Sequence, residues 1–169
     1  GAMEALIIAM LALVDPGDEV ILFDPSYTSH IEQIKLAGGT PVFVKLVRDS
    51  ARGWKMDSAA LEDSVTAKTK AIIVCNPANP TGMVFSKDEI EKIIEVARER
   101  GLLIIADETY DFLTYDNVPF ISFVSYPEIQ DQLIICRSFS KEYAMTGWRV
   151  GFACARAEII TEMLKIHDA

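Results

Sequence analysis

A chain of 169 residues, half of them hydrophobic, is long enough for one packed domain with a sizeable core. Its 16 basic against 25 acidic residues give a net charge of -9 with no basic run of five or more, which argues against a nucleic-acid partner and for a soluble protein. The cysteines, Cys75, Cys136 and Cys154, all sit in apolar strand-like runs, and His30 and His167 lie far apart, so buried reduced thiols of a cytoplasmic protein are expected and a metal site is not.

In chain order, Leu6 to Val14 is apolar but shorter than the roughly 20 residues of a bilayer span, and it lacks a basic leader. It reads as a buried helix starting near residue 1 and ended by Asp15-Pro16-Gly17. The chain opens without a preceding strand or cap, as a fragment would. Val20 to Phe23 is a short strand closed by Asp24-Pro25; Ser26 can cap a helix to about Ala37, stopped by Gly38-Gly39. Thr40 to Val47 alternates and is rich in β-branched residues, the pattern of a strand, and the polar stretch Arg48 to Lys55 reads as a surface excursion. Asp57 can cap a short helix to about Val65, followed by a strand from Lys70 to Cys75 that ends at Asn76-Pro77.

Ser86-Lys87-Asp88-Glu89 is a capping box, and Ile90, Ile93, Ile94 and Ala97 follow at helical spacing up to a stop at Gly101. Leu102 to Ala106 and Leu133 to Cys136 are continuous apolar runs, the mark of strands covered on both faces. Val150 to Ala155 is another strand, and Ala157 to Ile166 a last helix. Strands alternating with helices imply right-handed crossovers and an α/β fold with three αβα layers. Its sheet is mostly parallel, with the run after Arg149 able to return antiparallel.

In open α/β sheets ligands bind at the carboxyl ends of strands. Four polar clusters fall there: Asp24-Pro25-Ser26-Tyr27, Asn76 to Gly82, Asp107-Glu108-Thr109-Tyr110, and the loop holding Ser138 and Lys141. Each has an ordinary explanation, with the aspartates as helix caps, the tyrosines as core aromatics and Lys141 as a solvated loop lysine. A lysine just past a buried strand and beside a fixed cation such as Arg149 is also what Schiff-base chemistry with an aldehyde cofactor requires, and the nearby hydroxyls suit a phosphate.

Taken in order, Asn76-Pro77-Ala78-Asn79-Pro80-Thr81-Gly82, Asp107-Glu108-Thr109-Tyr110, Ser138-Phe139-Ser140-Lys141 and Gly147-Trp148-Arg149-Val150-Gly151 resemble the class I/II aminotransferases, fold type I enzymes that use pyridoxal 5'-phosphate. The resemblance covers essentially the whole chain and is nearest the aspartate aminotransferase branch. It implies the cofactor-binding large domain, truncated at both ends, with the C-terminal small domain absent and little activity alone. Lys141 would form the Schiff base, Asp107 would face the pyridine nitrogen, and Asn79 and Tyr110 would hydrogen-bond the phenolic oxygen. Tyr27 would stack on the ring, and Ser138, Arg149 and the amides of Ala2 and Met3 would hold the phosphate. The substrates implied are an amino acid and a 2-keto acid, and the assembly a homodimer or larger. The same scaffold also serves carbon-sulfur lyases, racemases, cyclopropane-forming synthases and cofactor-sensing regulator domains.

Overall fold

The structure is a computed structural model that describes residues 1–169. The chain runs α1 (Ala2–Leu13), β1 (Glu19–Asp24), α2 (Thr28–Leu36), β2 (Thr40–Lys45), β3 (Val47–Asp49), β4 (Gly53–Lys55), α3 (Ser58–Asp63), β5 (Thr69–Cys75) and α4 (Lys87–Arg100). It continues through β6 (Leu103–Asp107), two 3-10 turns between Phe123 and Gln132, β7 (Leu133–Ser138), α5 (Phe139–Glu142), β8 (Gly151–Cys154) and α6 (Ala157–His167).

The apolar runs become the interior of a six-stranded sheet in the order β2-β1-β5-β6-β7-β8. All pairings are parallel except β7 with β8. Alternate side chains of each central strand enter opposite cores. Val20, Leu22, Ile73, Ile105 and Ile134 pack with Leu6 and Met10 of α1, Ile34 of α2 and Ile159 of α6. On the other face Ile21, Ile72, Val74, Ile104 and Ile135 pack with Leu61 of α3 and Ile90, Ile93 and Ala97 of α4. Both faces are therefore dry, which is why these strands read as unbroken hydrophobic runs.

Topology fixes where a ligand can enter. The chain leaves β1 for β2 on one side and then crosses to β5 on the other, so the connections after β1 and β5 diverge and open a crevice at their carboxyl ends.

Several local expectations are corrected. Ser26 does not cap α2: Tyr27 occupies the N-cap, its carbonyl accepts from His30 N at 3.0 Å, and no side chain completes the cap. The first turn begins one residue too late for the Ser26 hydroxyl to reach it. The stretch Arg48 to Lys55 does lie at the surface, and it is built as a hairpin of β3 and β4. Asp49 accepts from the backbone of Ala51 and Arg52 at 2.9 and 2.8 Å, Gly53 takes a positive φ of 77°, and the Arg48 guanidinium lies 3.8 Å over the Trp54 ring. Only Cys136 is fully buried; Cys154 is exposed because β8 is an edge strand, and Cys75 is half-buried. No helix is long and apolar enough to cross a membrane.

The capping box at α4 is formed as the sequence implies, and it does more than cap. Ser86 Oγ accepts from Glu89 N at 3.3 Å while the Glu89 carboxylate accepts from Ser86 N at 2.7 Å, Met56 N at 2.8 Å and both terminal nitrogens of Arg52 at 3.2 Å. One buried carboxylate thus fastens the β3–β4 hairpin to the helix. Burial alone would raise the Glu89 carboxyl above its ordinary range, but the donors from Ser86, Met56 and Arg52 outweigh it and hold the group below. Because the folded value is lowered, the contribution is present above the unfolded carboxyl range and is lost as pH falls through the folded value. Glu89→Gln is expected to cost about 1–2 kcal/mol at neutral pH. In urea denaturation the gap to the unsubstituted protein should close as pH falls below about 4; a pH-independent gap would contradict this account.

Candidate active site

The carboxyl ends of β1, β5, β6 and β7 open onto one cavity of about 240 Å³. It is lined by Ala2, Met3, Tyr27, Asn79, Asp107, Tyr110, Ser138, Lys141 and Arg149, together with Leu6, Cys75, Thr109, Ser140 and Thr146. Every residue assigned a role from the sequence therefore reaches the same space.

At the floor stands Asp107, the last residue of β6, 5% exposed. Being in the middle of the sheet, its backbone is locked by Asn76 N donating to its carbonyl and by Glu108 N donating to Cys136 O, each at 3.0 Å. Its carboxylate meets donors on both oxygens: Oδ2 lies 3.0 Å from His30 Nε2, and Oδ1 accepts from the Thr109 hydroxyl at 2.6 Å and the Thr109 amide at 3.2 Å. A buried carboxylate without such partners would be costly. On the flanking strands Cys75 and Cys136 sit directly opposite Asp107 in the ladder. Burial, and then the Asp107 charge, push both thiols far up, so they remain neutral walls.

His30 is the functional side chain that the sequence reading missed. It lies on α2 one helical turn after Tyr27, is 1% exposed, and meets the Tyr27 ring edge-on at 5.4 Å between centroids. That spacing was its only signal, since residues three apart on a helix share a face.

Midway along the cavity the Asn79 amide donates to the Tyr110 hydroxyl at 3.5 Å. Burial first, and then the neighbouring acids Cys75, Asp107 and Tyr27, push the Tyr110 phenol above its ordinary range, against the Asn79 hydrogen bond that pulls it down. Tyr110 therefore presents a proton.

The opposite end is built from the loop after β7. Ser138 caps α5 by accepting from Ser140 N at 3.1 Å, and α5 carries Lys141. Lys141 lines the cavity and is exposed. It stands on α5, a single short turn of four residues whose Phe139 packs against Tyr143 and Phe152 while Lys141 stays open. Arg149 takes a left-handed φ of 56° and its guanidinium donates to Thr146 O at 3.0 Å, while its carbonyl accepts from the Gly1 nitrogen at 3.0 Å. Helix α1 thereby brings Ala2 and Met3, whose amides make no hydrogen bond within the helix, to the same cavity wall as Ser138 and Arg149. The approach is main chain on main chain: a Cβ at Gly151 would fall 2.6 Å from both Ala2 N and Arg137 O, so only glycine fits there.

Behind the two ends lies a buried ionic cluster that the sequence did not disclose. Glu108, fully buried, accepts from Ser122 Oγ at 2.8 Å, Phe123 N at 3.1 Å and Arg137 Nε and Nη2 at 3.1 and 2.7 Å; Arg137 also reaches Asp111 at 2.9 Å. Glu108 follows Asp107 and Arg137 precedes Ser138, so this pair ties the acidic end of the cavity to its cationic end from outside.

The family model described as aminotransferase class I and II matches residues 1–169. The chain is 42% identical over 166 residues to an aspartate aminotransferase of Sulfurisphaera tokodaii, covering 98% of this chain and 41% of that protein. It is 39% identical over 168 residues to an aspartate aminotransferase of Thermotoga maritima, 99% of this chain and 44% of the relative. Among solved structures, N-succinyldiaminopimelate aminotransferase from Mycobacterium tuberculosis superposes with a TM-score of 0.93 at 39% identity, over 96% of this chain and 42% of the other. Aromatic aminotransferase from Pyrococcus horikoshii gives 0.93 at 36% identity, over 98% and 44%. The chain thus spans about two fifths of the length of the relatives it matches.

Removing one member of the Glu108–Arg137 pair strands a buried charge. Arg137→Met is expected to destabilise the fold by about 3–5 kcal/mol, with much of that recovered when Glu108→Gln is added. Equilibrium denaturation of the single and double variants measures both. Additive losses would show that the two side chains are not coupled.

Proposed function

The chain belongs to the class I and II aminotransferase family, and from that membership we propose that it forms the cofactor-binding core of an enzyme that moves an amino group between an amino acid and a 2-keto acid using pyridoxal 5'-phosphate. The observation that carries the reading is that a buried carboxylate, Asp107, and the amine of Lys141 line a single cavity from the ends of two neighbouring strands.

The donor set fits that cofactor along its whole length. Arg149, Ser138 and the α1 amides supply cationic and neutral donors for a phosphate, and Tyr27 offers an aromatic wall. Asn79 and Tyr110 supply donors for a phenolic oxygen, and Asp107 an anion for a ring nitrogen. Pyridoxal phosphate, when bound, supplies an aldehyde that takes an amine and an electron-poor ring that accepts the electron pair left when a substrate α-carbon loses its proton.

The residues of this chain divide the remaining work. Asp107, held by His30 and Thr109, keeps a proton on the ring nitrogen, without which the ring is a poor electron acceptor. Asn79 and Tyr110 stabilise negative charge on the phenolic oxygen by donating to it. Lys141 Nζ would hold the cofactor through its aldehyde and, as a free amine at the cavity mouth, would supply the base for the α-proton. Its exposure in this chain is consistent with a mouth that a substrate must enter.

The relatives' names span aspartate, aromatic and N-succinyldiaminopimelate aminotransferases, which supports amino-group transfer in general and leaves the donor open. Exposed Tyr115, Trp148 and Phe152 support a homodimer or larger assembly, and unpaired thiols at Cys75, Cys136 and Cys154 support a reducing, cytoplasmic setting.

Adding pyridoxal phosphate to the intact protein should produce the absorption band of a lysine-bound cofactor, and borohydride should fix the adduct on the peptide carrying Lys141. Lys141→Ala should lose both and reduce amino transfer by about 10²–10⁴-fold. The same fixed adduct forming elsewhere in the Lys141→Ala protein would refute the assignment.

A further inference from the structure

Thr109 is a side chain on the cavity wall to which the family motif assigns no role. It follows Asp107 by two positions, lines the cavity, and donates its hydroxyl to Asp107 Oδ1 at 2.6 Å, beside its own amide at 3.2 Å on the same oxygen. On the other oxygen stands His30 at 3.0 Å.

The plane of an aspartate carboxylate is set by a broad, two-fold torsion, so the side chain's own rotamers do not fix where its lone pairs point. External donors must do so. The Thr109 amide is part of the turn and is present whatever residue stands there. The hydroxyl is the shorter contact and the one that the side chain brings. Threonine is β-branched and stiff at χ1, so its hydroxyl reaches Oδ1 with little ordering cost. With His30 approaching from α2 and Thr109 from the turn after β6, the carboxylate is held from two separate elements.

We propose that Thr109 is a positioning residue that fixes the plane of the Asp107 carboxylate toward the ring nitrogen of the cofactor, and so governs how tightly that nitrogen is gripped. The inference rests on the pyridoxal phosphate reading given above. Thr109 acts through Asp107 alone, so its effect must vanish with a cofactor that has no ring nitrogen.

The test uses the intact protein freed of cofactor and titrated with pyridoxal phosphate or with 1-deazapyridoxal phosphate, whose ring carries CH in place of nitrogen. Thr109→Val keeps the volume and removes the hydroxyl; Thr109→Ser restores the hydroxyl on a smaller side chain. Thr109→Val is expected to weaken pyridoxal phosphate binding about tenfold and to change binding of the deaza analogue by less than about twofold, with Thr109→Ser returning the first affinity toward that of the unsubstituted protein. Equal losses for both cofactors would make Thr109 a packing residue and overturn the proposal, as would unchanged or tighter binding of pyridoxal phosphate. If the unsubstituted protein forms no borohydride-fixed adduct on Lys141, the cofactor reading itself fails and this inference falls with it. That result is read before any variant is compared.

Discussion

A carboxylate buried in the middle of a sheet is the constraint on which this molecule turns. Asp107 ends β6 with strands paired on either side, where its charge is far from water and tolerable only if the protein supplies donors. Three elements converge to do so: α2 contributes His30, the turn after β6 contributes Thr109, and the β5 loop locks the main chain through Asn76. The neutral thiols on the neighbouring strands add no competing charge. What remains is an anion with fixed direction, facing a cavity whose other end is cationic.

The same economy of a few hydrogen-bonded acids recurs away from the cavity. Glu89 binds a hairpin to a helix start, and Glu108 binds the roots of two functional loops to each other. Each carboxylate accepts from at least three partners, so each can be buried without remaining an unpaired charge. The sheet supplies stiffness, and these acids decide how the irregular segments attach to it.

How much of this was written in the sequence follows from which signals are local. The capping box Ser86–Glu89, the stop at Gly101 and the unbroken apolar strands depend on neighbours within a few residues, and they appear in the structure where the pattern places them. The polar clusters were legible because carboxyl ends of strands share one edge of a parallel sheet, and that edge does carry a common cavity. His30 and the Glu108–Arg137 pair join segments 77 and 29 positions apart, and no periodicity marks such partners. Ser26 misled for a different reason. A serine next to the helix start permits more than one cap position, and its own neighbours do not fix at which residue the first turn begins. Lys141 is exposed because shielding a side chain takes mass above it, which the sequence of its own loop does not describe.

One position works by containing nothing. At Gly151 the backbones of β7, β8 and the start of α1 come closer than any carbon substituent allows. The neighbouring Val150 and Phe152 have large, exposed side chains, so room for a side chain and the lack of it alternate within a three-residue span at the rim of the sheet. An evolutionary path that altered Gly151 would have to relocate the beginning of a helix in the same step. Drift can reshape the side chains around the anion-facing end of the crevice far more easily than it can reshape the gap that brings its main chain there.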